Sequence, residues 1–254
     1  MCATYDLSRG EIADELQKII DEINHRYKDR PETPQMKTSG EVRITDIVPV
    51  IAPKGSAPMR FGLPSRVHPC HFNTRREEVF DRVIRNGAEV YEKEYFAEPL
   101  LRSRIAIPTV GFHEWTQILV TNKNGKQDKI PVDMMRFTLP DEEVTYLAGF
   151  YNMCVPKGAT AKTPCFSILT TDANSSVNDY HPRMPLRIPK ELIPEWLADP
   201  NYIDTIFNLQ QPLYYSSFVR KSKEIEKMAE SAAKRAEKDA RKANPDPSQI
   251  NLFS

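Results

Sequence analysis

Net charge is missing from this sequence: 35 lysines and arginines balance 35 aspartates and glutamates. Global charge therefore points to neither a nucleic-acid nor a membrane partner, and any cationic surface must come from local distribution. Also missing is a run of 18 or more apolar residues, which excludes a membrane-spanning helix. The four cysteines, Cys2, Cys70, Cys154 and Cys165, include no CxxC pair and form no dense framework. That usage suits free thiols in a reducing compartment. No secretory signal is evident, because the N-terminus is polar from Asp6 onward and then turns amphipathic. These absences lead to the expectation of a water-soluble, cytoplasmic protein. At 254 residues the chain can bury a real core in one or two domains.

What is present reads as a mixture of helices and strands. In "SRGEIADELQKIIDEINHRY", Ile12, Leu16, Ile19, Ile20 and Ile23 recur at helical spacing, predicting one amphipathic helix over residues 9–27 with Ser8 available as cap. "ITDIVPVIAP" reads as a strand with prolines at its edges, and residues 53–74 read as loop. "RREEVFDRVIRNG" reads as a short helix stopped at Asn86-Gly87. Two extended runs then meet across Asn124-Gly125, a strong hairpin signal, and "EVTYLAGFYNM" and "CFSILTT" add further strand. "PKELIPEWL" is a short helix with Pro189 near its start. Strands and helices do not alternate regularly, which predicts an α+β class with mostly antiparallel sheet. Beyond Arg220 the run "KSKEIEKMAESAAKRAEKDARKAN" is nearly all Ala, Glu, Lys and Arg and predicts a solvated helical spacer. The expected organisation is a domain over residues 1–220 and a charged tail over 221–254.

Cations gather in three stretches without acidic residues: Lys54 to Arg76, Pro99 to His113 and Tyr180 to Lys190. Either they form a basic groove that tracks phosphates or they are ordinary loops whose cations face water. Each also carries or adjoins a side chain of catalytic type: Asn73 in "HFNTRREE", Glu114 in "GFHEW" and His181 in "NDYHPRMPL". A carboxyl set between His113 and Trp115 either has its pKa raised, which suits a general acid, or is an ordinary exposed strand glutamate. "HPCHF" offers His68, Cys70 and His71, too few ligands for zinc, so neither metal nor cofactor is expected.

A cysteine after the initiator methionine carries no meaning by itself. If Met1 is trimmed, however, Cys2 presents an α-amine and a thiol on adjacent carbons, a pair able to trap an aldehyde in a five-membered ring. "MCATY", "FGLPS", "NTRREE", "IPTVGFHEW", "LAGFYN" and "FSILTTDANSSVNDYHPRMPL" follow one another over about residues 1–190. In these blocks the sequence resembles the SOS response-associated peptidase (SRAP) family of abasic-site processing proteins. The resemblance implies a curved antiparallel sheet closed as a pseudo-barrel with peripheral helices. It also implies covalent attachment to abasic sites in single-stranded DNA. Carried over to this chain, Cys2 is the nucleophile, Asn73 a positioning group, and Glu114 and His181 acid/base groups. Arg75 and Arg183 match arginines that meet phosphates, with Arg60, Phe61 and Arg66 as further candidates for DNA contact.

Three departures accompany the match. Thr4 stands where the family usually has arginine, which implies weaker DNA binding. Phe61-Gly62 replaces Trp-Gly, and Arg66 replaces a later tryptophan, leaving Phe61 as the candidate stacking ring. An Asn-x-x-Pro segment is not evident in "RITDIVPVI". At the far end, Gln249, Ile250, Leu252 and Phe253 resemble the peptide that bacterial proteins insert into the replication sliding clamp. The expected partners are thus abasic single-stranded DNA and the clamp, with the chain a monomer near damaged nucleoid DNA. A cysteine-dependent hydrolase or autopeptidase, and a non-enzymatic clamp adaptor, are the competing readings.

Overall fold

The computed structural model describes residues 4–29, 35–64, 70–77, 98–122 and 124–243, with 238–243 described by backbone alone. The strands in chain order are β1 Thr4–Asp6, β2 Glu41–Arg43, β3 Ile47–Ala52, β4 Gly55–Phe61, β5 Asn73–Arg75, β6 Arg104–Thr109 and β7 Gly111–Thr121. They continue with β8 Gln127–Thr138, β9 Thr145–Cys154, β10 Thr163–Asp172, β11 Arg183–Pro185, β12 Arg187–Ile188 and β13 Tyr215–Lys221. The described helices are α1 Asp14–Arg26, α2 Glu98–Arg102, α3 Ile193–Ala198, α4 Ile203–Phe207 and α5 Lys223–Ala243. Contacts divide the chain into two units, Met1–Glu114 with Arg136–Ser217, and Trp115–Met135 with Phe218–Ser254.

The larger unit is α+β and its main sheet closes on itself. β10, β4, β3, β6 and β9 pair in that order, and β9 pairs back onto β10. All of these pairings are antiparallel except β10 with β4, so the expected pseudo-barrel is present. Closing so small a ring crowds its strands. Gly149 lies opposite Ile105 on one side and Ile168 on the other, and a Cβ there would come within 2.7 Å of both Ile107 Cδ1 and the Ser167 carbonyl. Only glycine fits that point of closest approach. Val48, Val50, Ile105, Ile107, Leu147, Phe166 and Ile168 are all fully buried, giving the ring an apolar core.

Outside the ring, α1 buries Leu16, Ile19, Ile20 and Ile23 against β3 and β4. It begins at Asp14 rather than at residue 9, and Ser8 does not cap it. Gly10, at φ 106°, turns the chain before the helix, and the Ser8 hydroxyl accepts instead from the Gly40 amide at 3.4 Å. Asp14 and Glu15 in the first turn face the positive helix end in place of a cap. Residues 53–74 also depart from the loop expectation, because β4 is a seven-residue strand. Its Pro58 lies opposite Pro49 of β3, so two residues lacking an N–H face each other and break the ladder least. The sequence between Glu78 and Ala97, which includes most of the expected helix and Asn86-Gly87, lies outside the described residues.

In the smaller unit the outer parts of β7 and β8 form a hairpin. Asn122 closes it by accepting from the Asn124 and Lys126 amides, both at 3.0 Å. Lys221 pairs with Asp133 at 3.0 Å, and the Ser222 amide donates to Val132 at 2.7 Å. The Ser222 hydroxyl accepts from the Ile225 amide at 3.1 Å and so caps α5, the charged run expected to be helical.

Candidate active site

β10 organises the site because it exchanges both of its neighbours near Ile168. On one edge β4 pairs with Cys165 and Phe166, and β5 takes over at Ile168 to Thr170. On the other edge β9 extends to Ile168, and β11 takes over from Thr170 to Asp172. The two incoming strands carry the motif residues: Asn73 opposite Ile168, Arg75 opposite Thr170 and Arg183 opposite Asp172. His181 sits just before β11, with Nδ1 2.9 Å from the Arg183 carbonyl and 3.0 Å from its amide. That anchorage fixes the orientation of the ring through Nδ1.

Asn73 is 8 % exposed, and among the described residues neither its amide oxygen nor its amide nitrogen has a hydrogen-bond partner. Its strand is otherwise well tied. Thr74 Oγ1 lies 2.8 Å from Ser167 Oγ and 3.0 Å from His71 Nε2. A buried amide with both ends unsatisfied costs about 1–3 kcal/mol, and such groups mark places where a ligand completes the bonding.

Glu114 enters from the second sheet. β1 pairs with β7 so that Thr4 faces His113, Tyr5 faces Phe112 and Asp6 faces Gly111. Glu114 is the next residue along β7 and is 2 % exposed, a buried carboxyl beside the first described residue of the chain. His113 braces this pairing: Nδ1 lies 3.2 Å from Thr4 Oγ1 and Nε2 lies 3.2 Å from Asp6 Oδ2. Asp6 also pairs with Arg136 Nε at 3.0 Å. This hydroxyl–imidazole–carboxylate run was not among the sequence candidates, because nothing but strand pairing brings Asp6 to His113.

Phe61 requires a correction. The ring expected to stack on a base is fully buried, lying 5.1 Å from Phe166 in a stacked arrangement, with Tyr5 and Phe72 edge-on at 5.8 and 6.4 Å. A base cannot reach it without opening the core. It instead packs the strand of Tyr5 against the residue that precedes Asn73.

Among the described residues the three acid-free stretches do not make one cationic surface. Arg104 is 1 % exposed, stacked on Trp196, and donates to the Leu100 and Leu101 carbonyls at 2.9 and 2.6 Å. Arg187 pairs with Glu142, and Lys190 with Glu15 at 2.7 Å. Arg183 meets Glu77 at 2.9 and 3.2 Å, Asp172 at 2.6 Å and the Thr170 carbonyl at 2.7 Å. Burial pushes the Glu77 carboxyl up, but Arg183, the backbone amide and Arg76 outweigh it and hold the group below the ordinary carboxylate range. Arg60 donates to the Gly62 carbonyl at 2.7 Å, and Arg75 is exposed. Beside this end of β10 an open cleft of about 800 Å³ is lined by Arg76, Asp172, Asn174, Arg187 and Gln211.

Burial pushes the Cys70 thiol up and the Cys165 thiol up to about 12, against the opposing pull of Arg60. Neither is poised as a thiolate. Cys2, Arg66 and the tail residues Gln249, Ile250, Leu252 and Phe253 lie outside the described residues.

A family model described as SOS response associated peptidase (SRAP) matches residues 1–228. The chain belongs to the SRAP family. Among curated relatives, abasic site processing protein YoqW of Bacillus subtilis (strain 168) is 32 % identical over 136 residues, 51 % of this chain and 56 % of the relative. Abasic site processing protein YobE of the same organism is 29 % identical over 153 residues, 58 % of this chain and 63 % of the relative. The matched segments thus span little more than half the length of these SRAP relatives. The fold is shared with a solved protein from Bacteroides thetaiotaomicron at a TM-score of 0.60 and 19 % identity, covering 86 % of this chain and 92 % of that one. A Bordetella bronchiseptica protein aligns with a TM-score of 0.56 and 16 % identity, over 86 % of this chain and 100 % of its own.

Proposed function

We propose that this SRAP protein acts in the response to DNA damage by capturing abasic sites in single-stranded DNA through Cys2. The observation that carries the reading is the buried Glu114 carboxyl, one residue beyond the His113–Thr4 pair where the chain begins. A buried carboxyl near the start of β1 supports the reading that it manages the protons of a leading amine and thiol. The names of the curated relatives, abasic site processing proteins, supply the substrate.

In the proposed sequence an abasic deoxyribose opens to its aldehyde, with His181 giving a proton to the ring oxygen. Once Met1 is removed, the Cys2 α-amine attacks the aldehyde carbon, and loss of one water leaves a Schiff base. The Cys2 sulfur then adds to the imine carbon while the nitrogen takes up the thiol proton, closing a thiazolidine. The α-amine and thiol have ordinary pKa values of about 7.7–8.0 and about 8.5, so both are largely protonated at neutrality and a base accelerates the attack. Glu114 takes that role. The Asn73 amide completes its hydrogen bonds on the bound aldehyde or amine, and the exposed Arg75 holds the strand by its phosphates. Reversal, or strand incision by β-elimination, would proceed from the same Schiff base.

The tail is assigned to the sliding clamp. α5 is 21 residues long, which gives a reach of about 32 Å before Gln249–Phe253.

An oligonucleotide with one abasic site tests the reading on a denaturing gel. A band that survives boiling detergent and disappears in Cys2→Ala supports it. An equally strong band in Cys2→Ala refutes it, and Cys2-dependent peptide cleavage without any DNA band would favour a hydrolase.

A further inference from the structure

A cationic pocket lies elsewhere on the larger unit, away from the carboxylate-paired arginines beside β10. Lys54 sits in the turn between β3 and β4, Arg102 ends α2, and Lys162 leads into β10. These three come from distant parts of the chain, yet all line one pocket of about 350 Å³. All three are exposed, and among the described residues none is paired with a carboxylate. Among the described residues no acidic side chain lines the pocket. Glu22, beside Gly55 at its edge, is committed to Ser56 at 2.6 and 3.3 Å and to Arg26 at 4.0 Å. The rest of the lining is aromatic and apolar, with Tyr27 and Tyr151 half-buried and Met153 exposed.

Unpaired cations repel one another, so bringing three of them to one concavity is unfavourable unless an anion joins them. The two tyrosines and the methionine offer flat or polarisable surface for a ring. A pocket of this volume stands at the small end of ligand cavities. It is also set apart from the Asn73 site: Pro164 lines it, and Ile168, the partner of Asn73, lies four residues further along β10, about 13 Å away.

We infer that this pocket binds a nucleotide unit, with its phosphate held by Lys54, Arg102 and Lys162 and its base against Tyr151 or Tyr27. The unit is either a free mononucleotide or one residue of a nucleic-acid strand, and both present the same phosphate and ring. The inference does not depend on Cys2 chemistry.

Calorimetric titration of the full chain with AMP, adenosine and inorganic phosphate tests it, together with anisotropy of an undamaged fluorescent oligothymidylate. Lys54 and Lys162 are exposed, so the double variant K54E/K162E should fold. AMP should bind in the submillimolar range, about tenfold tighter than adenosine or phosphate, and lose about tenfold in the double variant and in Tyr151→Ala. If the double variant also weakens oligothymidylate binding and lowers its salt slope by about two, the unit belongs to a strand. If AMP affinity alone falls, the pocket takes free nucleotide. AMP binding that K54E/K162E leaves intact overturns the inference. So does the absence of AMP binding when oligothymidylate binding is unchanged by the variant.

Discussion

The Tyr5 ring meets the Phe61 ring edge-on at 5.8 Å, and Phe61 in turn touches Phe72, the neighbour of Asn73, at 6.4 Å. One buried ring therefore sets the spacing between the strand that opens the chain and the strand that carries Asn73. Phe61→Ala should cost about 3–5 kcal/mol and slow adduct formation through lost alignment. Phe61→Leu should cost about 1 kcal/mol and leave affinity for undamaged single strands within twofold. Thermal unfolding and anisotropy check this. A large affinity loss in Phe61→Leu at unchanged stability would mean the ring stacks on DNA.

Asn73 should show function and stability pulling in opposite directions. Among the described residues its buried amide has no hydrogen-bond partner, so Asn73→Ala removes unsatisfied polar atoms. The variant should be as stable as the parent, within about 1 kcal/mol, where a satisfied buried asparagine would cost more. Adduct formation should nevertheless slow at least tenfold. Denaturant melts and single-turnover crosslinking give the two numbers.

Glu114→Gln keeps the shape of the side chain and removes its proton chemistry. The rate of adduct formation should fall by about a hundredfold or more at neutral pH, with folding intact by circular dichroism. A rate within threefold of the parent would remove Glu114 from the mechanism.

The Arg183–Glu77 pair gives a signed pH dependence. The Glu77 carboxyl is held below its ordinary value when folded, so the pair stabilises the protein above the unfolded pKa of about 4.3. That stability is lost as pH falls through the lower, folded value. Arg183→Ala should therefore reduce stability by about 2 kcal/mol at neutral pH and by less in acid, flattening the acid limb of a stability–pH profile. An unchanged acid limb would show that the pair contributes nothing.

The sequence made the strands of the ring legible where β-rich residues ran together, as in β9 and β10, and the hairpin at Asn124-Gly125 where turn chemistry was specific. It concealed β4, because Gly55 and Pro58 read as loop residues until Pro49 is seen opposite Pro58. It misled most about charge. Arg183 and Arg187 lie in an acid-free stretch, but Glu77 and Glu142 reach them from elsewhere. Conversely, Lys54, Arg102 and Lys162 share a pocket although 108 residues separate the first from the last. Charge pairing is a property of the folded surface, and a linear window cannot report it. The motif residues Asn73, His181 and Arg183 were legible as a set through family resemblance, and the exchange of strands along β10 explains their assembly.

The central claim is covalent capture by a leading cysteine. Protein incubated with an abasic oligonucleotide, digested and analysed by mass spectrometry, should yield an N-terminal peptide beginning at Cys2. That peptide should carry the sugar remnant with the loss of one water, at both nitrogen and sulfur. A remnant found on another residue, or a crosslinked peptide that still bears Met1, would contradict it.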